Sequence, residues 1–171
     1  MRLRIMQPDL PQDAKFRPEN RDAIMRRYLA ISDLPGETGR GVAGATHVVW
    51  PESAVPFLYD REEALATRLQ DTVRGHGVHL FFGNDDLEET PGGGRRIYVG
   101  AKLLSPDGRI TARYRKMHLV PFGEYVPLQA LLTLGGRVSA KLVEQVADFT
   151  PGHEAVVGDV DGHPVGGFIC Y

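Results

Sequence analysis

The chain has 171 residues, 42% hydrophobic and 25% charged, the size and balance of one globular domain with a real core. A formal net charge of −2 excludes a general attraction to nucleic acid, and a single cysteine excludes an internal disulfide framework. No apolar stretch approaches the roughly 18 residues of a membrane-spanning helix, and the basic-then-apolar opening Met1–Met6 is too short for the apolar core of a signal peptide.

In chain order, Leu3 to Gln7 alternates and meets Pro8, which predicts a strand and a turn. Pro18 to Leu34 predicts a helix. Pro18 suits its first turn, Ile24, Tyr28, Leu29 and Ile31 recur at helical spacing, and Pro35-Gly36 stops it. Thr46 to Trp50 is a short apolar strand ended by Pro51. Arg61 to Arg74 is a second helix with Leu65, Leu69 and Val73 on one face, Asp60 as N-cap and Gly75 as stop. Val78 to Phe82 is a buried strand.

Residues 85–94, acidic and then glycine-rich, predict an exposed loop. Arg95 to Leu104 and Arg109 to Tyr114 form a hairpin across Ser105-Pro-Asp-Gly108. Residues 117–136 are a long irregular stretch, of the kind that is usually functional in a compact domain. Residues 138–148 suit a short helix, and 154–157 with 163–169 suit a second hairpin around Asp159 to Gly162. The order β-α-β-α-β followed by hairpins predicts an α/β architecture with helices on one face of a sheet.

Three residues have the right chemistry at the ends of strand-like segments. Glu52 follows Val48-Val49-Trp50 and would stand at the carboxyl edge of the sheet, where active sites of α/β folds gather. Pro51 turns the chain outward there. Lys116 follows the strand ending at Tyr114, where an ammonium could stabilise a developing oxyanion. Cys170 ends the apolar run Val165 to Ile169 and could serve as a nucleophile. Each also has a plain reading: a strand-end carboxylate in water, a solvated lysine beside Arg113 and Arg115, a buried inert thiol. Less plain is the stretch Val120, Pro121, Phe122, Tyr125, Val126, Pro127 and Leu128, too apolar for an idle surface loop. It suggests a wall or lid, with Glu124 as a polar group inside it. Gly92-Gly93-Gly94 lacks the following Gly-Lys-Ser/Thr of a phosphate loop. His76, His79 and His153-Glu154 lack metal-site spacing, so neither a metal nor another cofactor is expected.

Taken together, Trp50-Pro-Glu52-Ser, Tyr114-Arg-Lys116 and Phe168-Ile-Cys170-Tyr171 stand in the chain order of the nitrilase, or carbon–nitrogen hydrolase, superfamily, whose triad is Glu-Lys-Cys. Trp50-Pro-Glu-Ser-Ala-Val-Pro-Phe57, Lys116-Met-His-Leu-Val-Pro-Phe-Gly-Glu-Tyr-Val-Pro-Leu128 and the opening Leu3 to Gln12 resemble motifs of the apolipoprotein N-acyltransferase family within it. The resemblance implies Glu52 as general base, Lys116 as oxyanion stabiliser and Cys170 as nucleophile. It implies that Glu124 is a second essential glutamate and Tyr171 the aromatic residue after the nucleophile. Trp50 and Phe122 fall inside its motifs as substrate-binding or loop residues.

The implied reaction moves a fatty acyl chain from a phospholipid, through a cysteine thioester, to the terminal amine of a diacylglyceryl lipoprotein. The implied place is the bacterial inner membrane with this domain on the periplasmic side, held there by parts absent from this chain. The implied fold is a partial nitrilase-type α-β-β-α sandwich over residues 1–171, lacking its C-terminal strands and helices and the family's N-terminal transmembrane region. A fragment so cut is expected to be inactive and poorly soluble alone. The competing expectations are a soluble amidase of the same superfamily and a non-catalytic truncated product.

Overall fold

A computed structural model of the chain describes residues 1–11, 15, 17–36, 39–127, 149–160, 162–166 and 169. Its centre is a five-stranded mixed sheet. The strands are β1 (Leu3–Ile5), β2 (His47–Val49), β3 (His79–Gly83), β6 (Gly100–Leu104) and β7 (Ile110–Arg115), adjacent in that order. β1, β2 and β3 run parallel, with Leu3 opposite His47 and His47 opposite His79. β6 and β7 then join antiparallel. Parallel neighbours need long crossovers, and these carry the helices α1 (Arg21–Asp33) and α2 (Glu63–His76).

Both helices pack on one sheet face, as the strand–helix order predicts. Met25 and Tyr28 of α1 and Leu69 and Val73 of α2 meet Val48, Leu80, Phe82 and Leu104 in one buried cluster. Each such side chain contributes about 1.5–3 kcal/mol by leaving water. A smaller cluster gathers Val99, Ala101, Tyr114 and Ile169, with Phe81, Phe149 and Val156 against it.

The differences from the sequence reading have local causes. β1 ends at Ile5 rather than Gln7, since Pro8 and the left-handed Asp9, φ 47°, turn the chain. α2 begins and ends about two residues later than predicted. Its flanking residue is Glu62, with no side-chain cap, and Asp60 instead takes both guanidinium nitrogens of Arg113 at 2.8 and 2.9 Å. The helix runs through Gly75 to Gly77, whose φ of 63° and N–H bonds to the Arg74 and Val73 carbonyls form the left-handed stop.

Residues 85–94 are not a loop throughout. Asp86–Glu89 is strand β4, paired antiparallel with β5 (Arg95–Tyr98) in a second small sheet. Its register sets Glu88 opposite Arg96 and Glu89 opposite Arg95, so the acidic run and the arginine pair form one charge-matched hairpin. The glycine turn has Gly92 and Gly93 at φ 97° and 84°. The single strand predicted for 95–104 is therefore two strands in two sheets, parted at Val99. The turn at Ser105 to Gly108 stands as expected, with the Gly108 N–H on the Ser105 carbonyl at 2.8 Å.

The last hairpin is β8 (Val157–Val160) with β9 (His163–Gly166). Its first strand lies three residues beyond the predicted one. The helix expected at 138–148 lies outside the described residues.

Candidate active site

Glu52 stands in a turn just past β2. After Trp50, whose N–H bonds the Phe81 carbonyl at 2.8 Å, Pro51 ends ladder pairing. The turn lies so close to the end of β3 that a β-carbon on Gly83 would meet Ser53 N at 2.5 Å and the Glu52 α-carbon at 2.7 Å. Gly83 N–H bonds the Pro51 carbonyl and Val55 N–H bonds the Gly83 carbonyl, both at 3.2 Å. Ser53 adopts φ 49°, left-handed backbone that a non-glycine residue holds only when its surroundings impose it.

Lys116 follows β7 and is 1% exposed. Its N–H bonds the Val99 carbonyl at 2.8 Å, and its carbonyl accepts from Gly152 N–H at 2.8 Å. The ammonium donates to Glu124 Oε1 at 2.7 Å and stands 3.7 Å from Glu52 Oε1. The other Glu124 oxygen accepts from Val120 N–H at 2.9 Å. Glu124 thus ties the loop to the lysine, and the loop closes on itself through Phe122 N–H to the Tyr125 carbonyl at 2.8 Å. A buried ammonium needs such partners, since burial of an unpaired charge is prohibitive.

Two further charges belong to this pocket. Asp85, just past β3, has its pKa pushed up to about 6, chiefly by burial and further by the negative charges of Asp86, Glu124 and Glu52, against the pull of Lys102. Lys15 is buried, donates to the Glu52 carbonyl at 3.0 Å, and has its pKa lowered by burial against the attraction of Glu52 and Asp85. Sequence reasoning passed over both. Asp85 sits in a run of acidic residues, and Lys15 stands between Ala14 and Phe16 in no motif. Beneath the pocket, Lys102 lies buried on Asp86 and on Asn84 Oδ1, the latter at 2.8 Å.

The structure therefore brings Glu52, Lys116 and Glu124 together, as the motif order predicts. Trp50 is buried: its Nε1–H donates to Ser32 Oγ at 2.9 Å, and its ring lies 4.7 Å from that of Tyr28. The apolar loop is only partly a packed wall. Val126 is buried, whereas Phe122, at φ 61°, is 58% exposed beside exposed Val120. Cys170 and Tyr171 lie outside the described residues. Ile169, immediately before them, is buried with Val99 and Tyr114, the residues that flank Lys116 across and along β7. Among the described residues no group of three or more His, Cys, Asp or Glu side chains is arranged to hold a metal ion.

This arrangement can hold a negative oxygen against the Lys116 ammonium and offer a carboxylate base beside it. A mixed sheet that carries a glutamate after β2 and a buried lysine after β7, with two strands between them but at the same sheet edge, and a cysteine further along the chain, is the plan expected of an amide- and ester-cleaving or acyl-transferring enzyme with a thiol nucleophile. The carbon–nitrogen hydrolase profile matches residues 2–171, and the chain belongs to that family.

Among curated relatives, an apolipoprotein N-acyltransferase of Rhodopseudomonas palustris is 39% identical over 147 residues, 84% of this chain and 27% of the relative. One of Methylococcus capsulatus is 33% identical over 173 residues, covering 100% of this chain and 31% of the relative. The chain thus spans about a quarter to a third of the length of these relatives. Among solved structures, a carbon–nitrogen hydrolase of Helicobacter pylori aligns at TM-score 0.63 and 16% identity over 99% of this chain and 51% of its own. A mutant amidase of Nesterenkonia sp. AN1, carrying a covalent acetamide adduct on its active-site cysteine, aligns at TM-score 0.60 and 20% identity over 100% and 56%. These likenesses establish the nitrilase-type fold.

Proposed function

We propose that this chain is the catalytic module of an N-acyltransferase that moves a fatty acyl group from a phospholipid to the terminal amine of a diacylglyceryl lipoprotein. The observation that carries the reading is the buried Lys116 ammonium, held between Glu52 and Glu124 ahead of Cys170 in the chain. In this scheme Glu52 takes the thiol proton of Cys170, and the thiolate attacks the ester carbonyl of the phospholipid. Lys116 faces the tetrahedral oxyanion. The intermediate collapses by breaking the ester C–O bond, the lysophospholipid oxygen takes the proton from Glu52, and a thioester remains. The lipoprotein α-amine then attacks that thioester, the new C–N bond forms, the sulfur leaves, and Glu52 accepts the proton shed by the amine.

The exposed Val120 and Phe122, tied to the lysine through Glu124, suit contact with an acyl chain or a lipid surface. Among the described residues no helix is long and apolar enough to cross a membrane. In this reading the site works at the bacterial inner membrane, facing the periplasm.

The test is trapping of the intermediate. A protein that carries this chain within the full length of its relatives is incubated with phospholipid vesicles and analysed by mass spectrometry. An acyl adduct on Cys170 that is released by a lipopeptide amine, and that is lost in Cys170→Ala, is the expected result. Adducts formed only from small amides would replace the reading with a soluble amidase.

A further inference from the structure

The scheme above gives Lys15 no role, yet Lys15 is among the buried charged side chains of the described residues, 8% exposed. Its Nζ donates at 3.0 Å to the main-chain carbonyl of Glu52, 37 positions away in sequence. An ammonium is not buried without compensation, and the residue assigned as base supplies part of it here. The contact falls on the turn already constrained by Gly83 and by the left-handed Ser53. The same ammonium feels the carboxylates of Glu52 and Asp85.

We propose that Lys15 is a positioning residue for the base: it pins the Glu52 carbonyl, so fixing the turn that carries the carboxylate to Lys116, and it supplies the second positive charge of the pocket. The proposal rests on the reading of Glu52 as the base. The groups that share the field are Asp85 past β3, Lys102 of β6 and Asp86 of β4 beyond it, Lys116 past β7, and Glu124 of the following loop. Lys116 offsets the charge of Glu52 from one side and is itself largely matched by Glu124. Lys15 therefore adds, among the described residues, a positive charge that attracts the Glu52 carboxylate and a hydrogen bond that holds its turn, and loss of it frees the turn.

Because the chain has one cysteine, iodoacetamide reports on Cys170 alone. Its alkylation rate is measured across the pH range in wild type, Lys15→Met, Lys15→Arg and Glu52→Gln, each checked for a cooperative thermal transition. Lys15→Met is expected to displace the profile by slowing alkylation about tenfold, as misplacement of the base would, whereas Lys15→Arg keeps the wild-type profile. If the Lys15→Met profile superimposes on wild type while Glu52→Gln is displaced, the inference is wrong and the base assignment stands. If both superimpose, the base assignment falls and takes the inference with it. Should Lys15→Met fail to melt cooperatively, Lys15→Gln is read in its place; the same displacement is expected, and an unmoved profile overturns the proposal.

Discussion

Replacing Glu124 with glutamine tests the central ion pair directly. The two carboxylate oxygens of Glu124 have separate tasks: Oε1 accepts from the Lys116 ammonium at 2.7 Å and Oε2 from Val120 N–H at 2.9 Å. A glutamine keeps one acceptor and turns the other position into a donor, so one of the two contacts becomes donor against donor. Breaking a fully buried pair costs about 3–5 kcal/mol. Lys116 is 1% exposed but Glu124 is 15% exposed, and Glu52 stays 3.7 Å from the ammonium as a partial substitute. With those two discounts the expected loss is about 2–3 kcal/mol. For a domain of this size that is a fall in Tm of about 5–10 °C. The assay is thermal and urea unfolding of wild type, Glu124→Gln, Lys116→Met and the double variant. Since both single changes break the same contact, the double variant should lose about 2 kcal/mol less than their sum. A Glu124→Gln protein that melts with wild type, or an additive cycle, would refute the view that Glu124 holds the buried lysine.

Asp85 makes stability depend on pH. Its folded pKa is raised to about 6 from 3.8, so the folded protein holds the proton more tightly than the unfolded chain, and stability falls as pH rises through that window. Asp85→Asn should therefore exceed wild type by about 2 kcal/mol at neutral pH, with the gap closing below about pH 4; a gap of constant size in urea titrations across the range would contradict the assignment. Gly83→Ala places a methyl group 2.5 Å from Ser53 N and 2.7 Å from the Glu52 α-carbon. It should cost about 1–3 kcal/mol and, by displacing the base, lower acyl transfer by about a hundredfold; a fully active Gly83→Ala would refute the tight packing. Asp86→Ala strips the buried Lys102 of its nearest carboxylate and should cost about 3 kcal/mol in urea unfolding, with an unchanged midpoint as the contrary result.

How much of this was legible in the sequence depended on whether a signal was local. The helix and strand order was, because Ile24 and Tyr28, or Leu65, Leu69 and Val73, repeat at one period over several turns. The approach of Glu52 to Lys116 was too, since both sit at strand ends marked by Pro51 and by the long loop. Strand β4 was not, because Asp86 to Glu89 has a strand's charges rather than its apolar alternation. Its signal was relational: acidic residues become a plausible strand only when Arg95 and Arg96 are placed opposite them.

The same distinction explains the site's remaining members. Trp50 belongs to the first of the motifs, yet it packs on Tyr28 and Ser32 of a helix 18 or more residues upstream. Its neighbours could not be read from the motif alone. Lys15 and Asp85 belong to no motif, and each acquires a role only when the turn after β2 and the end of β3 are brought together at Gly83. A buried ammonium needs acceptors around it. Lys15 finds one of them in the main-chain carbonyl of Glu52, 37 residues away, so the search for partners of a buried charged group should follow the fold rather than the motif.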